Sequence, residues 1–300
     1  MTLPPKIETR YDLLVCDVDG TLVGEDKVVP RGVIGAVKAV QRQGVRVCLA
    51  TGRMWDSTRP FAEVLGADPP VILYNGGLVY DFVSGRSLTV HRIPSRRAVQ
   101  ILRTLRQFPK TSPLLFVHGK VFAERSAAFV DLFARRDRLT VEVTPRFEPL
   151  LMEGPMKFLV VGEPGDLGAL SRALGEVHPP VNRVSSQRDY LEILPRGVSK
   201  GAALPVLARA IGASPARTVA VGDALNDVTL LEAAGMGIAV EGSPRELLAV
   251  ADWVCPRPEQ EGVRVLIERV FLSGPRGRVP GGRRRGRKDP GRRETIRPTS

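Results

Sequence analysis

At four places in this chain a largely apolar run stops abruptly at an acidic or small polar residue. Asp12-Leu-Leu-Val-Cys16 ends at Asp17, Val45 to Ala50 at Thr51-Gly52-Arg53, Val71 to Tyr74 at Asn75-Gly76-Gly77, and Thr218 to Val221 at Gly222-Asp223. Runs without polar alternation suit strands buried on both faces of a parallel sheet. Between the first two, Pro30 opens a segment with Val33, Ala36, Val37 and Val40 on one helical face, closed by Gly44. A second helical segment passes through Phe61 and Leu65 before the third run. The order β-α-β-α-β predicts parallel strands joined by right-handed crossovers. In such open sheets the ligand site lies beyond the carboxyl ends of the strands, where these runs turn polar.

The rhythm changes after the third run. Leu78 to Phe82 and Ser87 to Arg92 pattern as a hairpin, Ala98 to Phe108 as a helix, and Leu114 to Glu124 as a strand pair turning at His118-Gly119. Further signals are a helix at Ala127 to Phe133, strands at Lys157 to Val161 and Tyr190 to Leu194, and a helix at Leu167 to Leu174. The α/β alternation then returns with helices at Lys200 to Ile211 and Leu225 to Ala234, strands at Gly237 to Val240 and Trp253 to Val254, and a closing helix at Val263 to Phe271. The expected organisation is therefore a split α/β core with a Rossmann-like parallel sheet, residues 1–85 and 191–272, interrupted by an α+β insert at 86–190.

Composition narrows the function. The 300 residues are 43% hydrophobic and 25% charged, as expected for a folded protein, and hold no apolar run long enough to span a membrane. No apolar leader precedes Tyr11, and Cys16, Cys48 and Cys255 are too few and too scattered for a disulfide scaffold or zinc site. A reducing cytoplasm is the expected location. The net charge of +12 is uneven: Ser273 to Ser300 carries ten Lys or Arg against Asp289 and Glu294, leaving +4 for the remainder. That segment holds six Gly and four Pro, so it is expected to be a disordered basic tail. Nucleic-acid contact is expected, if anywhere, through residues 273–300, which lack stacking aromatics.

Each polar cluster has a plain structural account when taken singly. Asp17 and Asp19 suit an Asx turn, Thr51 a helix cap, Lys200 an ordinary first-turn lysine, and Asp223 with Asn226 another cap. Their joint order is more telling. Asp17-Val-Asp19-Gly-Thr21, Thr51-Gly52-Arg53, Ser199-Lys200-Gly201 and Gly222-Asp223-Ala-Leu-Asn226-Asp227 follow one another with Tyr190-Leu-Glu-Ile-Leu-Pro and Ala233-Ala-Gly-Met-Gly between them. In this the chain resembles the haloacid dehalogenase (HAD) superfamily phosphatases, specifically the Cof-type branch with its cap inserted between the second and third motifs. The likeness covers about residues 9–272.

The resemblance implies a HAD fold and hydrolysis of a small phosphorylated metabolite, a sugar or cofactor phosphate, with Mg²⁺. Asp17 is then the nucleophile that forms an aspartyl-phosphate, and Asp19 the acid that protonates the leaving oxygen and later deprotonates water. Thr51, Gly52, Lys200 and Asn226 hold phosphoryl oxygens. The metal ligands are Asp17, the Asp19 carbonyl, Asp223 and, as a partner or occasional ligand, Asp227. Departures from the family pattern are Gly77 in place of Ala, Leu230 in place of Met, and Ala239-Val-Glu-Gly-Ser243 where Ala-Met-Gly-Asn-Ala is usual. Leaving-group specificity is expected from the cap, with Arg92, Arg96, Arg97, Arg183 and Arg188 as candidates for a second anionic group. Alternatives are a sugar phosphomutase on the same fold, using the same two aspartates, and a nucleic-acid binder acting through the tail. The histidines, His91, His118 and His178, show no metal spacing.

Overall fold

The computed structural model describes residues 11–177 and 181–273. The first segment runs β1 (Leu13–Cys16), α1 (Arg31–Gln41), β2 (Arg46–Leu49), α2 (Trp55–Leu65), β3 (Val71–Leu73), β4 (Leu78–Asp81) and β5 (Arg86–Val90). The insert follows as α3 (Ser95–Leu105), β6 (Ser112–Val117), β7 (Lys120–Ala123), α4 (Ala128–Asp137), β8 (Val141–Val143), α5 (Glu148–Leu151), β9 (Lys157–Val161), α6 (Pro164–Gly175), β10 (Asn182–Gln187) and β11 (Tyr190–Leu194). The core resumes with α7 (Lys200–Ala210), β12 (Thr218–Gly222), α8 (Val228–Ala233), β13 (Met236–Val240), α9 (Arg245–Val250), β14 (Trp253–Cys255) and α10 (Gly262–Ile267).

The core sheet is parallel throughout, in the order β14-β13-β12-β1-β2. Its strands are apolar on both faces because both are covered. Leu14, Cys16, Val47, Leu49, Val219 and Val221 pack toward α1 and α10, while Leu13, Val15, Cys48 and Ala220 pack toward α7 and α8. Each fully buried aliphatic side chain contributes roughly 1.5–3 kcal/mol relative to exposure, and a charge at any of these positions would forfeit that and add a desolvation cost. The three cysteines are buried free thiols and serve here as small apolar residues.

The insert is a six-stranded sheet, β10-β11-β9-β6-β7-β8, antiparallel except between β7 and β8. Its strands divide their residues by parity. Leu115, Phe158, Val160, Leu191 and Ile193 pack against α3 and α6, whereas Phe116, Leu159, Val161 and Tyr190 join α4 on the opposite face. That opposite face also carries Lys157 and Glu192 and meets the carboxyl edge of the core sheet, so period-two alternation sends these two charges toward the site.

The third strand runs parallel to the core sheet as expected, but its ladder lies elsewhere. β3 touches the core sheet only through a parallel bridge between Ala50 and Ile72 and pairs antiparallel with β4 in a sheet β3-β4-β5. The expected edges at 85/86 and 190/191 fall at the hydrogen-bonded hairpin β4–β5 and within β11. The short β8 and β10 and the helices α5, of 4 residues, and α9 are absent from the sequence-based expectation. β10 is the polar edge strand Asn-Arg-Val-Ser-Ser-Gln, and β8 and α9 have 3 and 6 residues, too short for a clear period. Of the basic segment 273–300, only Ser273 falls among the described residues. Among those residues no helix is long and apolar enough to cross a membrane.

Candidate active site

The Asp17 amide donates to the Val221 carbonyl (3.0 Å), so the β1–β12 pairing runs one residue past Cys16 and fixes where Asp17 stands. The chain then doubles back, with the amides of Leu22 and Val23 both donating to the Val18 carbonyl. Gly20 allows this with φ of +78°, and a Cβ there would lie 2.2 Å from Asp223 Oδ2. The loop backbone is thus pressed against Asp223, whose Oδ1 accepts from Thr21 Oγ1 at 2.8 Å.

Lys200, the first residue of α7, is fully buried. Its Nζ donates to Asp17 Oδ1 and Asp227 Oδ1, each at 2.7 Å. Burial alone would favour losing this lysine's proton, but the two carboxylates outweigh it and hold the ammonium charged. Removing Lys200 would leave both carboxylates uncompensated, at a cost of about 3–5 kcal/mol. The other oxygen of Asp227 accepts from the amides of Asp223 and Ala224, both at 3.1 Å. Gly222 makes room for this brace, since a Cβ there would come within 2.3 Å of the Asp227 carboxyl carbon.

Asp17, Asp223 and Asp227 present carboxylate oxygens within 4.8 Å of one another. Three carboxylates facing one ammonium form an acid-rich cluster. Burial, opposed by Lys200, pushes Asp17 well above the usual carboxylate range. Burial and then Asp227 carry Asp223 up to about 7. Asp19 departs the other way. Burial raises it, but Arg53, binding through Nε (2.5 Å) and Nη2 (2.8 Å), and Lys27 Nζ at 2.6 Å bring it down to about 2. Asp19 is therefore an ionised side chain turned toward the Arg53 guanidinium.

Thr51 does not cap the next helix, which begins at Trp55 with Met54 as its N-cap. Instead its Oγ1 accepts from the Arg53 amide at 3.2 Å, and its carbonyl accepts from the Asn75 amide at 3.0 Å. Asn75 lies in the left-handed region (φ 54°) and is buried beside Gly52. Asn226 Nδ2 donates to Asn75 Oδ1 at 3.0 Å, leaving Asn75 Nδ2 and Asn226 Oδ1 as buried side-chain atoms without partners. An amide pair cannot satisfy itself fully, so it keeps one donor for a third group, and an anionic oxygen is such an acceptor.

Above this floor the cap closes a chamber of about 70 Å³. Its polar lining from the core includes Asp17, Asp19, Thr51, Gly52 and Asn226. Lys200, Asp223 and Asp227 lie outside the lining, beneath Asp17. From the cap, Lys157 Nζ donates to Glu192 Oε2 (2.7 Å) and to the core carbonyl of Gly52 (2.8 Å), 4.6 Å above the Phe116 ring. Asp137, at the end of α4, lies 3.5 Å from Arg53 Nη2 and accepts from the Tyr190 hydroxyl at 3.1 Å. Lys157, Glu192, Asp137 and Asn75 escape sequence reasoning. The alternation of β9 and β11 was the available signal for the first two, with an acid and a base standing where an inward apolar residue belongs.

The cap arginines expected near the substrate are elsewhere. Arg92, Arg96 and Arg97 stand in a separate groove by the hinge strands, where Arg92 donates to the carbonyls of Glu153 and Gly154. Arg183 bonds the Ser171 carbonyl, and Arg188 is exposed. Arg96 and Arg97 lie on α3 and Arg183 on the edge strand β10, whereas Arg92 precedes α3 and Arg188 lies in the turn between β10 and β11. His91 is exposed, His118 pairs with Glu153, and His178 lies outside the described residues.

A family model described as haloacid dehalogenase-like hydrolase matches residues 14–267. A phosphoglycolate phosphatase of Methanoculleus marisnigri is 28% identical over 260 residues, covering 86% of this chain and 96% of its own. A 5-amino-6-(5-phospho-D-ribitylamino)uracil phosphatase of Bacillus subtilis is 25% identical over 273 residues, covering 88% and 99%. Among solved structures, a haloacid dehalogenase-like hydrolase from Bacteroides thetaiotaomicron superposes with a TM-score of 0.78 at 27% identity, covering 87% of this chain and 100% of the other.

Proposed function

The chain belongs to the haloacid dehalogenase-like hydrolase family and is an enzyme of the phosphoric monoester hydrolase class; within that class we propose that it cleaves a small phosphorylated metabolite, a sugar or cofactor phosphate, with Mg²⁺ and an aspartyl-phosphate on Asp17. One observation carries this reading. The buried Asp17 carboxylate is held 2.7 Å from Lys200 at the carboxyl edge of the sheet, with two further carboxylates behind it and the chamber in front.

The donor set fits Mg²⁺, since it is all hard oxygen and carries more buried negative charge than Lys200 balances. Asp17 and Asp223 would hold the ion with the Asp19 carbonyl, and Asp227 would fix Lys200 and the Asp223 backbone from behind. When bound, the ion supplies the charge that lets an anionic carboxylate approach an anionic ester.

In this reading Asp17 attacks phosphorus as the bond to the leaving oxygen breaks, and that oxygen takes a proton from Asp19. Water then attacks the aspartyl-phosphate, Asp19 takes its proton, and the Asp17–phosphorus bond breaks to release phosphate. The pairing of Asp19 with Arg53 and Lys27 favours the anion and so the second half of this cycle. Thr51, the Gly52 amide, Asn226 and the spare amide donor beside it supply contacts to the phosphoryl oxygens. The three buried thiols suit the proposed cytoplasmic location.

The test is hydrolysis of p-nitrophenyl phosphate and of a panel of phosphorylated metabolites, with and without Mg²⁺, by the native protein and by Asp17→Asn. Metal-dependent turnover lost in Asp17→Asn is the expected result. Unchanged turnover in that variant overturns the mechanism.

A further inference from the structure

We infer that the leaving group this chamber accepts is uncharged and hydroxyl-bearing, so that esters carrying a second phosphate or a carboxylate are rejected. This rests on the phosphatase reading above and deepens it. With the reacting phosphoryl group over Asp17, the rest of the substrate must lie against the wall contributed by the cap. Much of that wall is apolar: Phe116, Phe133, Leu139 and Leu159 line it.

The charged groups lining the chamber are already engaged with one another. Lys157 is shared between Glu192 and the Gly52 carbonyl, and both side chains of this pair are 4% exposed, so neither is free to turn toward a ligand. Arg53 is committed to Asp19 on one side and reaches Asp137 on the other. Among the described residues lining the chamber there is no other lysine or arginine outside the phosphoryl floor. A second anion would therefore be buried beside apolar side chains and two carboxylates, with no cation to receive it except by breaking an existing pair. Arg92, Arg96 and Arg97, which would suit such a group, lie in the hinge groove instead.

The same wall is well provided for hydroxyls. Asp137 accepts, Gln187 offers both donor and acceptor, and Tyr190 lines the chamber with its hydroxyl held by Arg136 and Asp137. Neutral donors meeting fixed carboxylates make charge-assisted bonds without desolvating a second ion. The rejection also bears on the mutase alternative, because a phosphomutase must accommodate a bisphosphorylated sugar.

Matched pairs that differ only in CH₂OH against COO⁻ decide the matter. These are glycerol 3-phosphate with 3-phosphoglycerate, and sorbitol 6-phosphate with 6-phosphogluconate. The expected result is a kcat/KM at least about 100-fold higher for the alcohol in each pair, and a gap narrowed about tenfold in Asp137→Asn, which removes a like charge from the wall. Binding of the same four esters to Asp17→Asn, measured by calorimetry in Mg²⁺, follows the same order. Equal kcat/KM values, or a preference for the acids, overturn the inference while leaving the phosphatase reading intact. Ranked binding to Asp17→Asn without turnover by the native protein keeps the inference and sinks the reading. Failure of all four to bind overturns the inference as well.

Discussion

The core edge and the cap wall face each other across one chamber, yet they treat charge in opposite ways. On the core side, three carboxylates crowd one buried lysine and remain short of positive charge, as a cluster awaiting a dication does. On the cap side, Lys157 and Glu192 neutralise each other at the same depth of burial. In the proposed reaction, imbalance suits a region that must hold a metal, whose charge in turn receives the ester dianion. Balance suits a region that must recognise a leaving group without competing for them. On the proposed reading, the two halves of the site divide the labour between reaction and selection.

The widest gap between the regions is expected from Asp17→Asn, which removes the attacking oxygen's charge and should lower kcat by about 10⁴-fold or more. Chelation comes next: EDTA should take turnover to background and Mg²⁺ should restore it, whereas a Lys157→Met, Glu192→Leu double variant, whose core cluster is intact, should keep the native protein's rise in unfolding midpoint with Mg²⁺. Lys200→Met tests the floor's dependence on its one ammonium, with an expected loss of about 3–5 kcal/mol in urea unfolding. Asn75→Ala should lower kcat/KM about 10- to 100-fold through one lost hydrogen bond to an anion, and should lower the unfolding midpoint as well, since alanine disfavours the left-handed backbone there and Asn226 Nδ2 loses its acceptor. The smallest effect is expected for Arg96→Ala, under about twofold on kcat/KM, since this arginine lies outside the chamber. A large effect there, or none at Asn75, would erase the distinction between the regions.

Legibility in the sequence followed the same division. Asp17, Asp19, Thr51, Gly52, Asp223 and Asn226 stand where apolar runs end, and a strand end is a local event that a few neighbouring residues reveal. Lys157 gave no such cue, because its partners Glu192 and Gly52 are 35 and 105 residues away and only sheet register unites them. Asp137 was equally hidden at the end of an unremarkable helix. Among the core elements, β3 runs parallel to the core sheet as its Val-Ile-Leu run implied, through the Ala50–Ile72 bridge, but its ladder partner is the antiparallel β4. Apolar content reported burial correctly and did not reveal which neighbour the strand would pair with.

The strand order has a consequence for how the protein comes into being. β1, the strand that carries Asp17, is flanked by β2 from its own segment and by β12 from the far side of the insert. Lys200, the partner of Asp17, is 183 residues later in the chain, and Asp223 closes on Thr21 across 202. A ribosome adding roughly 5–20 residues per second therefore exposes the strand before Asp17 for on the order of ten seconds or more before its second neighbour exists. Until then the half-made sheet has an open apolar edge at β1, and the nascent chain is at its most dependent on shelter from its neighbours.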